Sequence, residues 1–111
     1  MITVKPAENI EQGIKNLIEA SNEDYKNGNC NESMLNEFVN GWSVTNGKKF
    51  IKICKAKYGV HSFIVKEDFK HFKKGDVLKP ASWRAPALNQ ARGNVLKGNY
   101  PIQWTGPLYL R

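Results

Sequence analysis

Cations interleaved with one aromatic ring are the residues with most chemistry to offer in this sequence. Lys79, Trp83, Arg84, Arg92 and Lys97 lie along a segment in which Pro80 and Pro86 flank the tryptophan, and Lys73 and Lys74 precede it beside Gly75-Asp76. A cation next to an exposed ring can hold a phosphate while the ring stacks a base, which is how single-stranded nucleic acid is bound with little sequence preference. A second reading uses the same residues structurally. Trp83 plugs the open end of a sheet, the prolines stiffen the loop, and Arg92 bonds carbonyls or stacks on the tryptophan. On the first reading Lys73, Lys74, Lys79, Trp83, Arg84, Arg92 and Lys97 are the candidate nucleic-acid-binding residues.

Constellations for catalysis are weak. His61 and Ser62 are neighbours, and on a regular strand neighbouring side chains point to opposite faces, so they are not expected to pair as base and nucleophile. Cys54 lies among Ile51 and Ile53 and is expected to be a buried, inert thiol, whereas Cys30 falls in a polar stretch. Cys30, Cys54, His61 and His71 lack the paired spacing of a zinc site. Glu67, Asp68 and Asp76 sit in turns, where capping of backbone amides is their ordinary use. Gly93-Asn94 and Gly98-Asn99 read as turn dipeptides rather than a phosphate loop. The sequence thus predicts no catalytic residue, no metal, no cofactor and no small-molecule substrate.

Charge supports the nucleic-acid reading. Residues 1–46 hold three lysines against seven acidic residues, a net −4, while residues 47–111 hold fourteen cations against three, a net +11. A field of that sign attracts polyanions or an acidic protein surface, unless the acidic front folds back and compensates it. The chain has 111 residues, 41% hydrophobic, enough for one small core and no more. No stretch approaches the roughly 18 apolar residues of a membrane span, and the first residues lack a secretory pattern, so a soluble, unsecreted chain is expected. Two cysteines do not make a disulfide framework.

Those candidates need elements to position them. Ile10, Ile14, Leu17 and Ile18 mark one stripe of a helix over 7–20; Ser21 to Asn31 reads as a polar linker with a Lys26-Asn-Gly-Asn29 turn; Met34, Leu35, Phe38 and Val39 supply the buried face of a second helix over 32–40, closed by a left-handed Gly41. The period then changes. Asn46-Gly47 predicts a two-residue hairpin turn between strands over 42–45 and 48–55, with a bulge near Phe50. Tyr58-Gly59 punctuates the chain before a strand over 60–65. Residues 69–74 read as an exposed basic loop, Val77-Leu78 as extended, and 104–110 as a last strand broken by Gly106-Pro107. The fold class is α+β in a single domain, two N-terminal helices packed on a small antiparallel β-sheet: an acidic helical front over 1–41, expected to be separable, and a basic β-rich half over 42–111.

The Val60-His-Ser-Phe-Ile64 strand, the Gly75-Asp-Val-Leu-Lys-Pro-Ala-Ser-Trp-Arg-Ala-Pro-Ala87 and Ala91-Arg-Gly-Asn94 blocks and the Leu108-Tyr-Leu-Arg111 ending resemble a family of small, uncharacterised tailed-bacteriophage proteins. The resemblance covers about residues 59–111. It implies a viral origin and a host-cytoplasmic location, and carries no activity or site residue with it. Sequence and resemblance together predict a non-enzymatic accessory protein that binds nucleic acid, with a host-directed protein that docks on and inhibits a cellular or defence protein as the alternative.

Overall fold

The computed structural model describes residues 2–28, 31–55 and 59–108; Cys30, Tyr58 and the Tyr109-Leu-Arg111 ending lie outside them. The first helix, α1, spans Ile10–Gly28. It starts on Asn9, whose Oδ1 accepts the Gln12 amide at 2.8 Å and satisfies one of the free donors of the first turn. It also runs well past Ala20, through the stretch expected to be a linker. Leu17, Ser21 and Tyr25 are buried at i, i+4 and i+8, and the Ser21 hydroxyl donates to the Leu17 carbonyl at 2.9 Å, so a polar residue continues the inward stripe without an unpaired group.

The second helix, α2, spans Glu32–Val39, with Asn31 Oδ1 capping the Met34 amide at 3.0 Å. Of its expected buried face only Phe38 is buried; Met34 and Val39 are exposed and Leu35 is half-buried. The reason is that α2 packs on α1, with the Phe38 ring stacked on Tyr25 at 4.1 Å, rather than on a sheet. Asn40 ends it in a right-handed conformation, its Nδ2 donating to the Asn36 carbonyl, and Gly41 has no positive φ.

Two antiparallel sheets follow. β1 (Ile2–Thr3) pairs with β6 (Pro101–Ile102), tying the two ends of the fold together. β2 (Ser43–Asn46), β3 (Phe50–Lys55), β4 (Gly59–Val65) and β5 (Val77–Leu78) form a four-stranded sheet in that order. The fold is therefore α+β, but only α1 contributes a helix to its main core. The expected strand over 104–110 is not formed across 104–108; the edge partner of β1 lies just before it. The β2–β3 hairpin also differs from expectation. Asn46 pairs with Ile51, and Gly47 N donates to Phe50 O at 2.9 Å, so the loop is Gly47-Lys48-Lys49 and both lysines ride at its tip.

Alternation gives the sheet two apolar faces. Ile53, Ile64 and Val77 meet Ile14, Leu17 and Ala20 of α1, together with Val4, Val95, Tyr100 and Ile102. The helical front and the basic half thus share one core, against the expectation that the front could be removed. On the outer face Phe63, Val65 and Leu78 pack with Phe72, rimmed by Phe50, Val60 and Phe69. Phe50 belongs to this face and breaks no alternation. The bulge lies one strand over, where Ile53 pairs with Ser62 and Cys54 with Val60, leaving His61 as the extra residue.

Candidate nucleic-acid interface

Trp83 stands at the tip of a stiff loop. Pro80 and Pro86 bridge its neck, the Ser82 and Ala81 amides donate to the Ala85 carbonyl, and Ser82 Oγ accepts the Arg84 and Ala85 amides at 3.3 and 3.2 Å. With φ fixed at two prolines and its turn donors satisfied, the loop holds its shape before any ligand arrives. Its tryptophan is 59% exposed, so it plugs nothing. Lys52, projecting from β3 onto the outer face, places Nζ 4.3 Å from the Trp83 ring centroid and donates to the Trp83 carbonyl at 3.1 Å. That pair fixes the ring against the sheet and sets a cation against it.

Concavities run outward from this ring. One of about 240 Å³ lies against Val60, Pro80, Ser82 and Trp83. A second, about 220 Å³, is lined by Thr45, Lys48, Lys49, Phe50, Lys52 and Arg84. The third, about 200 Å³, continues past Lys48 and Lys49 to Lys66, Phe69 and two carboxylates, Glu67 and Asp68. Among the described residues no carboxylate pairs with Lys48, Lys49, Lys52, Lys66 or Arg84. Exposed Glu11, Glu19 and Glu23 belong to α1, which packs on the opposite face of the sheet. The fold separates the two charges instead of letting the acidic helix cover the basic one.

The sequence-derived residues divide accordingly. Trp83 and Arg84 line the concavities. Lys73 and Lys74 are exposed on the neighbouring turn, where Lys73 pairs with Asp68 at 3.8 Å and the Lys74 amide donates to Asp68 Oδ1. Lys97 is exposed but follows Asn94 on the segment that crosses α1, whose Gly13 comes so near that an added Cβ would lie 2.7 Å from Val95 Cβ. Lys79 and Arg92 are half-buried and already bonded within the chain: Lys79 Nζ to the Pro107 carbonyl at 3.0 Å, Arg92 Nη1 to the Asn89 side chain and the Gln90 carbonyl, with its buried Nε left without a partner. Burial, and then a neighbouring cation for Lys79, lowers the affinity of both for their protons. Lys55 is buried more completely, donates to the Thr105 carbonyl at 2.8 Å, and is pushed down to about 8 by burial and by Lys79. Lys55 and Lys79 pin the 105–107 segment to the sheet. Sequence reading missed Lys48, Lys49, Lys52 and Lys66; only the hairpin loop and the face assignment reveal that Lys52 reaches Trp83, that Lys48 and Lys49 share a concavity with Arg84, and that Lys66 lines the next one.

His61 and Ser62 do pair, against the expectation from strand alternation. The bulge turns both side chains to the α1 face, where His61 Nδ1 accepts from the Ser62 hydroxyl at 3.0 Å. The Gln103 carbonyl lies 3.1 Å from Nε2 and Ser21 Oγ is at the same distance; a carbonyl only accepts, so Nε2 carries the proton. Burial pushes the imidazole down to about 3. Both residues are fully buried, beyond the reach of a substrate, and serve to join α1, β4 and the 103–107 segment. Trp42 and Trp104 pack here too: Trp42 lies edge-on to His61 and Phe38 and donates to Asn22, and Trp104 lies edge-on to Tyr25. Asp76 and Asp68 cap backbone amides as expected, and no helix among the described residues is long and apolar enough to cross a membrane.

Compared with known proteins, the sequence matches a family of unknown function (DUF7717) over residues 3–110. The chain belongs to this family. No curated protein and no solved structure matches it. The family match takes in α1 and α2 as well as the segment from Gly59 onward. In this family member, then, the helical front is part of the matched unit, as it is part of the core.

Proposed function

We propose that this protein binds single-stranded nucleic acid along the outer face of its four-stranded sheet, with no catalytic role. The observation that carries the reading is the exposed Trp83 ring, held on a stiff loop with Lys52 against it and uncompensated cations beside it. Bases stack on such a ring whatever their identity, and the phosphates track the cations; a duplex offers no splayed base to stack. The groove residues are Trp83, Arg84, Lys48, Lys49, Lys52 and Lys66, with Lys73 and Lys74 at its margin. A bacteriophage origin and a host-cytoplasmic setting belong to this proposal and not to the family assignment.

The second reading, docking on a host protein, is favoured by α2, which buries one side chain and leaves Met34 and Val39 exposed. The two readings separate by titration of a labelled single-stranded oligonucleotide into the pure protein near 50 mM salt. Saturable binding, weaker for the matching duplex, supports the groove; no binding removes it and leaves the protein-docking reading.

A further inference from the structure

Phe69 and Phe72 exchange backbone hydrogen bonds of 3.0 and 2.9 Å, which closes a two-residue turn with Lys70 and His71 at its tip. The turn is firmly rooted: Phe72 is buried in the outer-face core, and His71 lies 4.0 Å from the Phe72 ring and donates to the Asn89 carbonyl at 2.9 Å. Lys70 there has φ +55°. Among the described residues only glycines and Asn99 share a positive φ. Glycine takes that conformation without steric cost and asparagine tolerates it, whereas lysine is strained.

Lys70 gains only one long cation–π contact in return. Its ammonium lies 5.4 Å from the Phe69 ring centroid, and the same ring already holds Lys49 at 4.4 Å. Two like charges are thus gathered about one half-buried ring, and among the described residues no carboxylate pairs with either. Asp68, one residue away from Phe69, is engaged by Lys73 and the Lys74 amide instead. Phe69 lines the far end of the groove from Trp83. A lysine in a left-handed conformation, set with a second cation about one ring at the end of a basic groove, marks a ligand contact.

From this we infer that Lys70 and Lys49, set about Phe69, form a second phosphate-binding station, which grips the backbone of the single strand whose base stacks on Trp83. The inference rests on the nucleic-acid reading above and adds residues that reading does not use. It identifies the ligand as a phosphodiester strand; free phosphate shares the chemistry and is separated by the test.

Three proteins decide it: the parent, Lys70→Gly and Lys70→Arg, each melted and each titrated with a single-stranded dodecanucleotide at several salt concentrations. Lys70→Gly is expected to melt no lower than the parent, since it relieves the left-handed strain, and to bind about 5- to 10-fold more weakly near 50 mM salt, its log-log salt slope shallower by about 0.7. Lys70→Arg is expected to bind like the parent. Lys97→Ala, which removes one charge away from the groove, is expected to leave the slope unchanged. Parent binding with an unaffected Lys70→Gly overturns the station and leaves the Trp83 groove standing; failure of the parent to bind overturns both. A Lys70→Gly protein that melts several degrees lower overturns the strain argument. Displacement of the oligonucleotide by inorganic phosphate, beyond what sodium chloride of equal ionic strength achieves, overturns the assignment to a strand.

Discussion

The Lys52 ammonium touches Trp83 twice, at 4.3 Å from the ring centroid and at 3.1 Å from the residue's own carbonyl oxygen. One lysine thus positions an exposed aromatic ring and furnishes a cation beside it. Since the ring is mostly outside the core, Trp83→Ala is expected to shift the melting temperature by no more than about 2 °C while weakening single-strand binding by on the order of 1 to 3 kcal/mol. Trp42→Ala is the contrast. That ring is packed between Phe38 and His61 and bonded to Asn22, and its loss is expected to cost about 3 kcal/mol of stability. Thermal melts and titrations on both variants check the pair; a destabilised Trp83→Ala protein would return the ring to a structural role.

Acid sensitivity should originate at His61. Its proton affinity in the folded protein is depressed to about 3 by burial, from an ordinary value of 6.5. Below pH 6.5 the unfolded chain therefore takes up a proton that the folded chain refuses, and stability is lost as the pH falls toward 3. The loss approaches about 1.4 kcal/mol per pH unit. Denaturant melts of parent and His61→Gln between pH 4 and 7.5 are expected to show the flatter curve for the variant, whatever its stability at neutral pH. Parallel curves would mean that other groups carry the acid sensitivity.

Removal of residues 1–41 is expected to abolish cooperative folding. Ile14, Leu17 and Ala20 cover Ile53, Ile64 and Val77, and β1 pairs with β6, so the remnant would expose the inner face of its sheet. A soluble fragment of residues 42–111 with a cooperative melt would contradict the shared core.

Much of the fold was legible in the residues because local signals and packing agreed. The stripe of Ile10, Ile14 and Leu17 located α1, and the apolar run from Val60 located β4. The reading failed where a polar residue does the work of an apolar one. Ser21 satisfies its own hydroxyl within the helix and carries the buried stripe on to Tyr25, so composition alone mistook eight helical positions, Ser21 to Gly28, for a linker. Strand alternation failed at His61 because one inserted residue turns two neighbours to the same side, and pairing register is not written in a single strand. β1 and β6 are two residues each, too short for any period to show.

Half of the candidate site was legible for the same reason. Trp83 and Arg84 are neighbours in a distinctive loop, whereas Lys48, Lys49 and Lys52 reach them only through hairpin geometry. Lys79 and Arg92 belong to the same segment of sequence yet are half-buried and donate to the Pro107 carbonyl and to the Asn89 side chain and Gln90 carbonyl. Spacing along the chain carries no record of which side of a loop faces solvent.

The groove is tested most directly by the salt dependence of single-strand binding by the parent, Trp83→Ala and Arg84→Ala proteins, plotted as log affinity against log salt. Some four groove cations predict a parent slope near about −3, and Arg84→Ala should flatten it by about 0.7, one counterion-releasing contact fewer. Stacking releases no counterions, so Trp83→Ala should give a line parallel to the parent and displaced downward by about tenfold. A parent line without slope, or a Trp83→Ala line that coincides with it, would contradict the groove.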